Sequence, residues 1–85
     1  MRVEELAPGI WRWSAGERWC VYVEAEGATV LVDPAVPDEP ERFFRALDRD
    51  VERRGVPLAV VCTSDAAAEA ARPIAERYGV TVARA

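Results

Sequence analysis

Histidine, lysine, asparagine and glutamine are all missing from this sequence, and there are only two cysteines. Each absence removes a class of chemistry. Without histidine the chain has neither the commonest general base nor the commonest zinc ligand. Without lysine as well, Ser64 has no basic side chain to activate it as a nucleophile, and Cys62 has no imidazole or ammonium to hold a thiolate. Cys20 and Cys62 each lie inside an apolar, strand-like run with no metal-ligand spacing. Two cysteines make no disulfide framework, so the expectation is buried free thiols in a reducing compartment. No apolar run approaches the ~20 residues of a membrane span, and Met1-Arg2-Val3-Glu4-Glu5 has no apolar signal-peptide core. A soluble cytoplasmic protein with no membrane partner is expected.

All eleven basic residues are arginine, set against fifteen acidic ones for a net charge of −4. The arginines run from Arg2 to Arg84, interleaved with Glu and Asp, and leave no cationic stripe to follow a phosphate backbone. Nucleic-acid binding is excluded on that ground. With 85 residues, about half apolar, the chain suits one domain spanning 1–85. A domain this small buries a modest share of its surface, so a disulfide, a metal or a partner commonly supplements its core.

Residues 1–8 read as a polar lead-in to a Pro8-Gly9 turn. Ile10 to Trp13 alternates with period two, Trp19 to Glu24 is rich in aromatic and β-branched residues, and Ala28 to Asp33 follows a short Glu26-Gly27 link. These are three strands, the last two a hairpin. Asp38 with Glu41 has capping-box spacing around Pro40. Phe43, Phe44, Leu47 and Val51 then recur at helical spacing until Gly55 and Pro57 stop the helix. Leu58 to Cys62 is apolar without alternation, the pattern of a strand covered on both faces. After Thr63-Ser64-Asp65, with Asp65 as N-cap, a short helical turn spans Ala66 to Ala71. Pro73 interrupts it. A restart with Ile74, Ala75 and Tyr78 inward ends at Gly79, and Val80 to Ala83 is a last strand. The expected fold is α/β (α+β): one mixed sheet of about five strands with two helices on one face, in the order β-β-β-α-β-α-β.

Pro8-Gly9-Ile10-Trp11, Val30-Leu31-Val32-Asp33-Pro34, the amphipathic helix, Val60-Val61-Cys62-Thr63 and Ala75-Glu76-Arg77-Tyr78-Gly79 occur in a familiar order. Over nearly the whole chain this resembles the N-terminal half of the metallo-β-lactamase fold superfamily. Bacterial members with a sequence like Ala46 to Gly55 at the end of the first helix look most similar. The resemblance implies half of an αββα sandwich. It also implies a place for the metal-binding motif His-x-His-x-Asp-His after the strand ending in Thr63. Here those positions hold Ser64, Ala66, Ala68 and Glu69. Asp33 matches the strand-end aspartate, which in that superfamily mostly shapes the turn beneath the site. Alanine offers no ligand and serine a poor one, so the ancestral route has no metal to generate its hydroxide.

No catalytic residue and no cofactor are therefore expected. The remnant-pocket candidates are Asp33, Ser64, Asp65 and Glu69, whose carboxylates would suit a divalent Mg²⁺ or Ca²⁺ if they converged. Against that stand a turn former, an N-cap and a solvated helix residue. The start of the second helix carries only the generic anion affinity of helix N-termini. A half sandwich leaves one sheet face open, and Trp11, Trp13, Tyr22 and Leu31 are the residues expected on it. An apolar face of that kind marks an interaction surface, either for a homodimer or for a protein partner. Packing is the other use for the tryptophans. The leading reading is a degenerate, non-catalytic domain that works by association. The alternatives are a residual hydrolase, using the carboxylate pocket or completed by a second chain, and a truncated half of a longer protein.

Overall fold

A computed structural model describes residues 1–85. Its elements are β1 (Val3–Ala7), β2 (Ile10–Ala15), β3 (Arg18–Ala25), β4 (Ala28–Val32), α1 (Pro40–Arg54), β5 (Leu58–Cys62), α2 (Asp65–Tyr78) and β6 (Val82–Arg84). The class is the mixed α/β arrangement expected, with six strands rather than about five. The sixth is β1, which takes up most of the polar lead-in. Its alternation is masked by Glu4 and Glu5, but Val3 pairs with Trp13, Glu4 with Arg12 and Glu5 with Trp11. Backbone pairing along an open edge makes this strand, with little apolar pattern to announce it. Gly9, at φ +82°, follows Pro8 in the connecting turn, a position that favours glycine.

The six strands lie in sequence order, β1-β2-β3-β4-β5-β6. The first three pairings are antiparallel, and β4–β5 and β5–β6 are parallel. Parallel neighbours require crossovers, supplied by α1 and α2. Two crossovers of the same hand advancing in the same direction set both helices on the same face. The core is accordingly one cluster, joining Trp13, Cys20, Tyr22, Leu31, Val60 and Cys62 of the sheet to Phe43, Leu47, Ala67, Ala71 and Ile74 of the helices.

The two helices sit differently. α2 lies close on β5 and β6, where Ala67 and Ala71 let the backbones approach, while α1 stands further off the sheet on Phe43 and Leu47. Phe43 packs on Trp13 with ring centroids 5.3 Å apart. The Trp13 indole Nε1 donates to the Ala35 carbonyl at 3.1 Å, pinning the loop between β4 and α1.

Two local expectations are corrected. Asp38 and Glu41 do not form a capping box. Glu39 is the N-cap, its side chain makes no cap bond, and Pro40 occupies the first turn. The Glu39 carboxylate instead accepts from the Met1 amino group at 3.2 Å, a tertiary partner with stronger charge than the helix end offers. Nor does Pro73 divide the second helix, which is continuous from Asp65 to Tyr78. Pro73 is exposed, while Ala67, Ala71, Ile74 and Ala75 form one buried stripe across it. Burying that stripe outweighs the local cost of about 3 kcal/mol for a proline inside a helix.

Ionic latches fasten the helices. Arg54, in the last turn of α1, donates through Nε to Thr29 Oγ1 at 3.2 Å and through Nη2 to the carbonyls of Ala25 and Ala28 at 2.5 and 2.9 Å. Thr29 is almost wholly buried. Asp48 on α1 accepts from Arg77 Nη2 and Tyr78 Oη on α2, both at 2.6 Å. No helix is long and apolar enough to cross a membrane.

Replacing Arg54 with Met keeps most of the alkyl packing but strands the hairpin carbonyls and the Thr29 hydroxyl. A loss of roughly 1–3 kcal/mol in urea unfolding is expected. A second expectation concerns acid. The Arg77 and Tyr78 hydrogen bonds hold the Asp48 carboxyl below its ordinary pKa. The unfolded chain therefore binds more protons in the acid range. The latch contributes fully above about pH 4, and that contribution is lost as pH falls through and below the ordinary carboxylate range. Thermal melts of D48N should fall less steeply between about pH 7 and pH 3 than those of the parent.

Candidate functional site

In an open α/β sheet the carboxyl ends of the parallel strands are where ligands are sought, and here Asp33 directly follows β4 and Thr63 directly follows β5. Asp33 has a left-handed backbone, φ +48°. This turns its carboxylate across to β5, where Oδ1 accepts from the Thr63 N–H at 2.8 Å and Oδ2 from the Thr63 hydroxyl at 2.7 Å. Both oxygens are thus engaged in tying two strand ends together.

The cap of α2 is Ser64 rather than Asp65. Ser64 has extended backbone angles and its Oγ accepts from the Ala67 N–H at 3.0 Å. Asp65 stands one residue inside the helix, fully open to solvent, and pairs with Arg84 of β6. Serine takes the cap because its short hydroxyl reaches the third amide, leaving the following aspartate to favour the helix dipole from the first turn. Glu69, one turn further, pairs with Arg72 on the helix surface. Asp33, Asp65 and Glu69 therefore have three separate partners, and no three Cys, Asp or Glu side chains stand close enough together to share a metal ion. Cys20 and Cys62 are free and buried. Burial raises both thiol pKa values, so they remain protonated at neutral pH.

The aromatic candidates lie on the other side of the sheet from where they were expected. Register puts Trp11, Tyr22, Leu31, Val60 and Val82 in one row across the strands, and that row faces the helices. Trp13, Tyr22 and Leu31 are buried, and Trp11 is half-buried against the core, its ring edge-on to Tyr22 at 5.6 Å. Large aromatics fill the height under α1, whereas the bare face has no layer to fill.

That bare face is nonetheless apolar. The alternate row is Glu4, Arg12, Val21, Val32, Val61 and Ala83, and beside it run Ile10, Val23, Val30 and Ala59. The isoleucine and valines are half-buried, and none packs against the core. At the β1–β3 edge the surface becomes charged: Arg12 Nη2 meets Glu4 Oε2 at 2.6 Å, and the Arg12 guanidinium lies 3.9 Å from the Trp19 ring centroid. The expectation of an open apolar face thus survives with a different set of residues. The missed signal was in β4, where Val30 and Val32 flank Leu31 and so make both faces of the strand apolar.

Comparison with family models, with curated proteins and with solved structures finds no match for this chain.

The structural role of Asp33 can be tested directly. D33A removes both bonds to Thr63 and leaves a residue in the left-handed backbone without the polar side chain that compensates for it. It should lower unfolding free energy by about 2 kcal/mol or more. D33N tolerates the backbone and retains a carbonyl acceptor, so its urea midpoint should fall much less than that of D33A.

Proposed function

We propose that this domain works by association, with the valine-rich sheet face as its contact surface and a second copy of the chain as its occupant. One observation carries the reading: Ile10, Val21, Val23, Val30, Val32 and Val61 form a continuous apolar surface that no element of the chain covers. A contiguous patch of that kind marks an interaction site.

Geometry favours a second copy. Both faces would be flat, β-branched and matched in twist, and a two-fold axis closes the pair without leaving a free face. Strands ~4.8 Å apart, with ~3.3 Å per residue, give five strands of about five residues a face on the order of 400 Å². Two copies would bury about 800 Å², below the standard size for a specific interface. The association is therefore weak and concentration-dependent.

The order of elements also supports descent from half of a metallo-β-lactamase-like sandwich, in which a second half occupies this position. Under that reading Ser64, Ala66, Ala68 and Glu69 replace the metal ligands, and the domain is a degenerate member with contact in place of catalysis. A residual hydrolase using Asp33, Asp65 and Glu69 has less support, because each carboxylate is engaged with a different partner.

Sedimentation velocity from about 1 µM to several hundred µM should show a monomer passing into a dimer, consistent with a small interface. V32E/V61E places charge at the centre of the face, away from the core, and should keep the chain monomeric with its helical circular dichroism intact. A parent that stays monomeric throughout, or a dimer that survives V32E/V61E, overturns the proposal.

A further inference from the structure

The separation between α1 and the sheet leaves a cavity of about 310 Å³ on the helix side, opposite the bare valine face. Its walls are Val3, Trp11, Trp13 and Phe43. Val3 is 60% exposed at the mouth, which gives the cavity access to solvent. The volume lies at the lower end of the range for small-molecule sites, enough for one ring and a short chain.

One end of the cavity is polar, formed by Tyr22, Glu24, Asp50 and Arg53. Glu24 Oε2 accepts the Tyr22 hydroxyl at 2.8 Å and also accepts from Arg53 Nη2. Arg53 Nη2 lies 3.3 Å from Asp50 Oδ1 as well. Two carboxylates share one guanidinium, so this end carries a formal charge of −1. The Met1 ammonium also lines the cavity but donates to Glu39 at 3.2 Å, and the Arg12 guanidinium is held by Glu4 and stacked on Trp19 on the opposite face of the sheet. The Tyr22 hydroxyl commits its proton to Glu24, and burial together with that carboxylate raises its pKa, so it adds no second negative charge. The unused capacity is mostly acceptor capacity: Glu24 Oε1, Asp50 Oδ2 and the phenol oxygen.

The geometry points to a small organic cation as the ligand of this cavity. An amine would place its ammonium group at Glu24 and Asp50 and lay an apolar or aromatic body against Trp11, Trp13, Phe43 and Val3. The charge is complementary, the head supplies the donors that the polar end lacks, and aromatic faces attract cations while stacking on rings. A carboxylate or phosphate at that end would meet two carboxylates and a guanidinium already engaged by both.

The test uses the full chain and a matched pair of probes, 2-phenylethylammonium and 3-phenylpropionate, followed by backbone and indole amide NMR shifts. The ammonium should give saturable shifts at Val3, Trp11 and Ala46, and the carboxylate none at equal concentration. E24Q/D50N should weaken ammonium binding at least about tenfold, the scale of one charge-assisted contact. If that double variant does not fold, D50N alone carries the test, since the Asp50 side chain is 35% exposed and outside the core. V3W fills the mouth without touching the core and should abolish the shifts while leaving the thermal transition in place. Absence of saturable ammonium shifts, equal binding of the carboxylate, or unchanged binding in the charge variants overturns the inference. V32E/V61E should bind the ammonium like the parent, which separates this cavity from association through the opposite face.

Discussion

A six-stranded sheet with apolar residues on both sides needs two covering layers, and this chain carries helices enough for one. Both helices arise as crossovers between parallel strands that advance in the same direction, β4 to β5 to β6, so handedness places them together. The helix-side face becomes the core. The other face keeps its valines in contact with water. Much of what is distinctive about the molecule follows from that asymmetry, including the burial of Trp13, Tyr22 and Phe43 between α1 and the sheet and the row of valines on the open face.

Within the covered side, the size of the side chains sets the architecture. Alanines at positions 67 and 71 draw α2 onto β5, with Ile74 filling the remaining space. Phe43, Leu47, Trp13 and Tyr22 hold α1 away, and the gap becomes a cavity at the outer strands. Polar side chains compensate for that looser seat. Arg54 grips the β3–β4 hairpin, Arg53 reaches Glu24, and Asp48 joins the two helices through Arg77 and Tyr78. Arg53 and Arg54 lie at the carboxyl end of α1, where positive charge is also favoured by the helix dipole. The same last turn therefore closes the fold and supplies part of the cavity's polar end.

The strand ends carry a different lesson. Asp33 and Thr63 occupy the position where chemistry is sought in α/β proteins, yet their side chains bond to each other and tie β4 to β5. Ser64 is engaged as a cap and Asp65 with β6. These contacts give each polar group a structural role. The functional surfaces proposed here lie elsewhere, on the two faces of the sheet.

Strand and helix positions were legible from residues alone wherever periodicity was strong. The Trp19–Glu24 run, the Phe43/Leu47 helical face and the glycine stop at Gly55 all emerge in place, because local spacing and turn chemistry govern them. β1 was not legible, since Glu4 and Glu5 hide its pattern and pairing with β2 creates it. The continuity of α2 through Pro73 was decided by a buried stripe that local propensity does not contain. Period-two alternation likewise separates Trp13, Tyr22 and Leu31 from Val21, Val23 and Val32, but it labels neither set as inside. Only the direction of the crossovers, a property of the assembled sheet, decided which set the helices would cover.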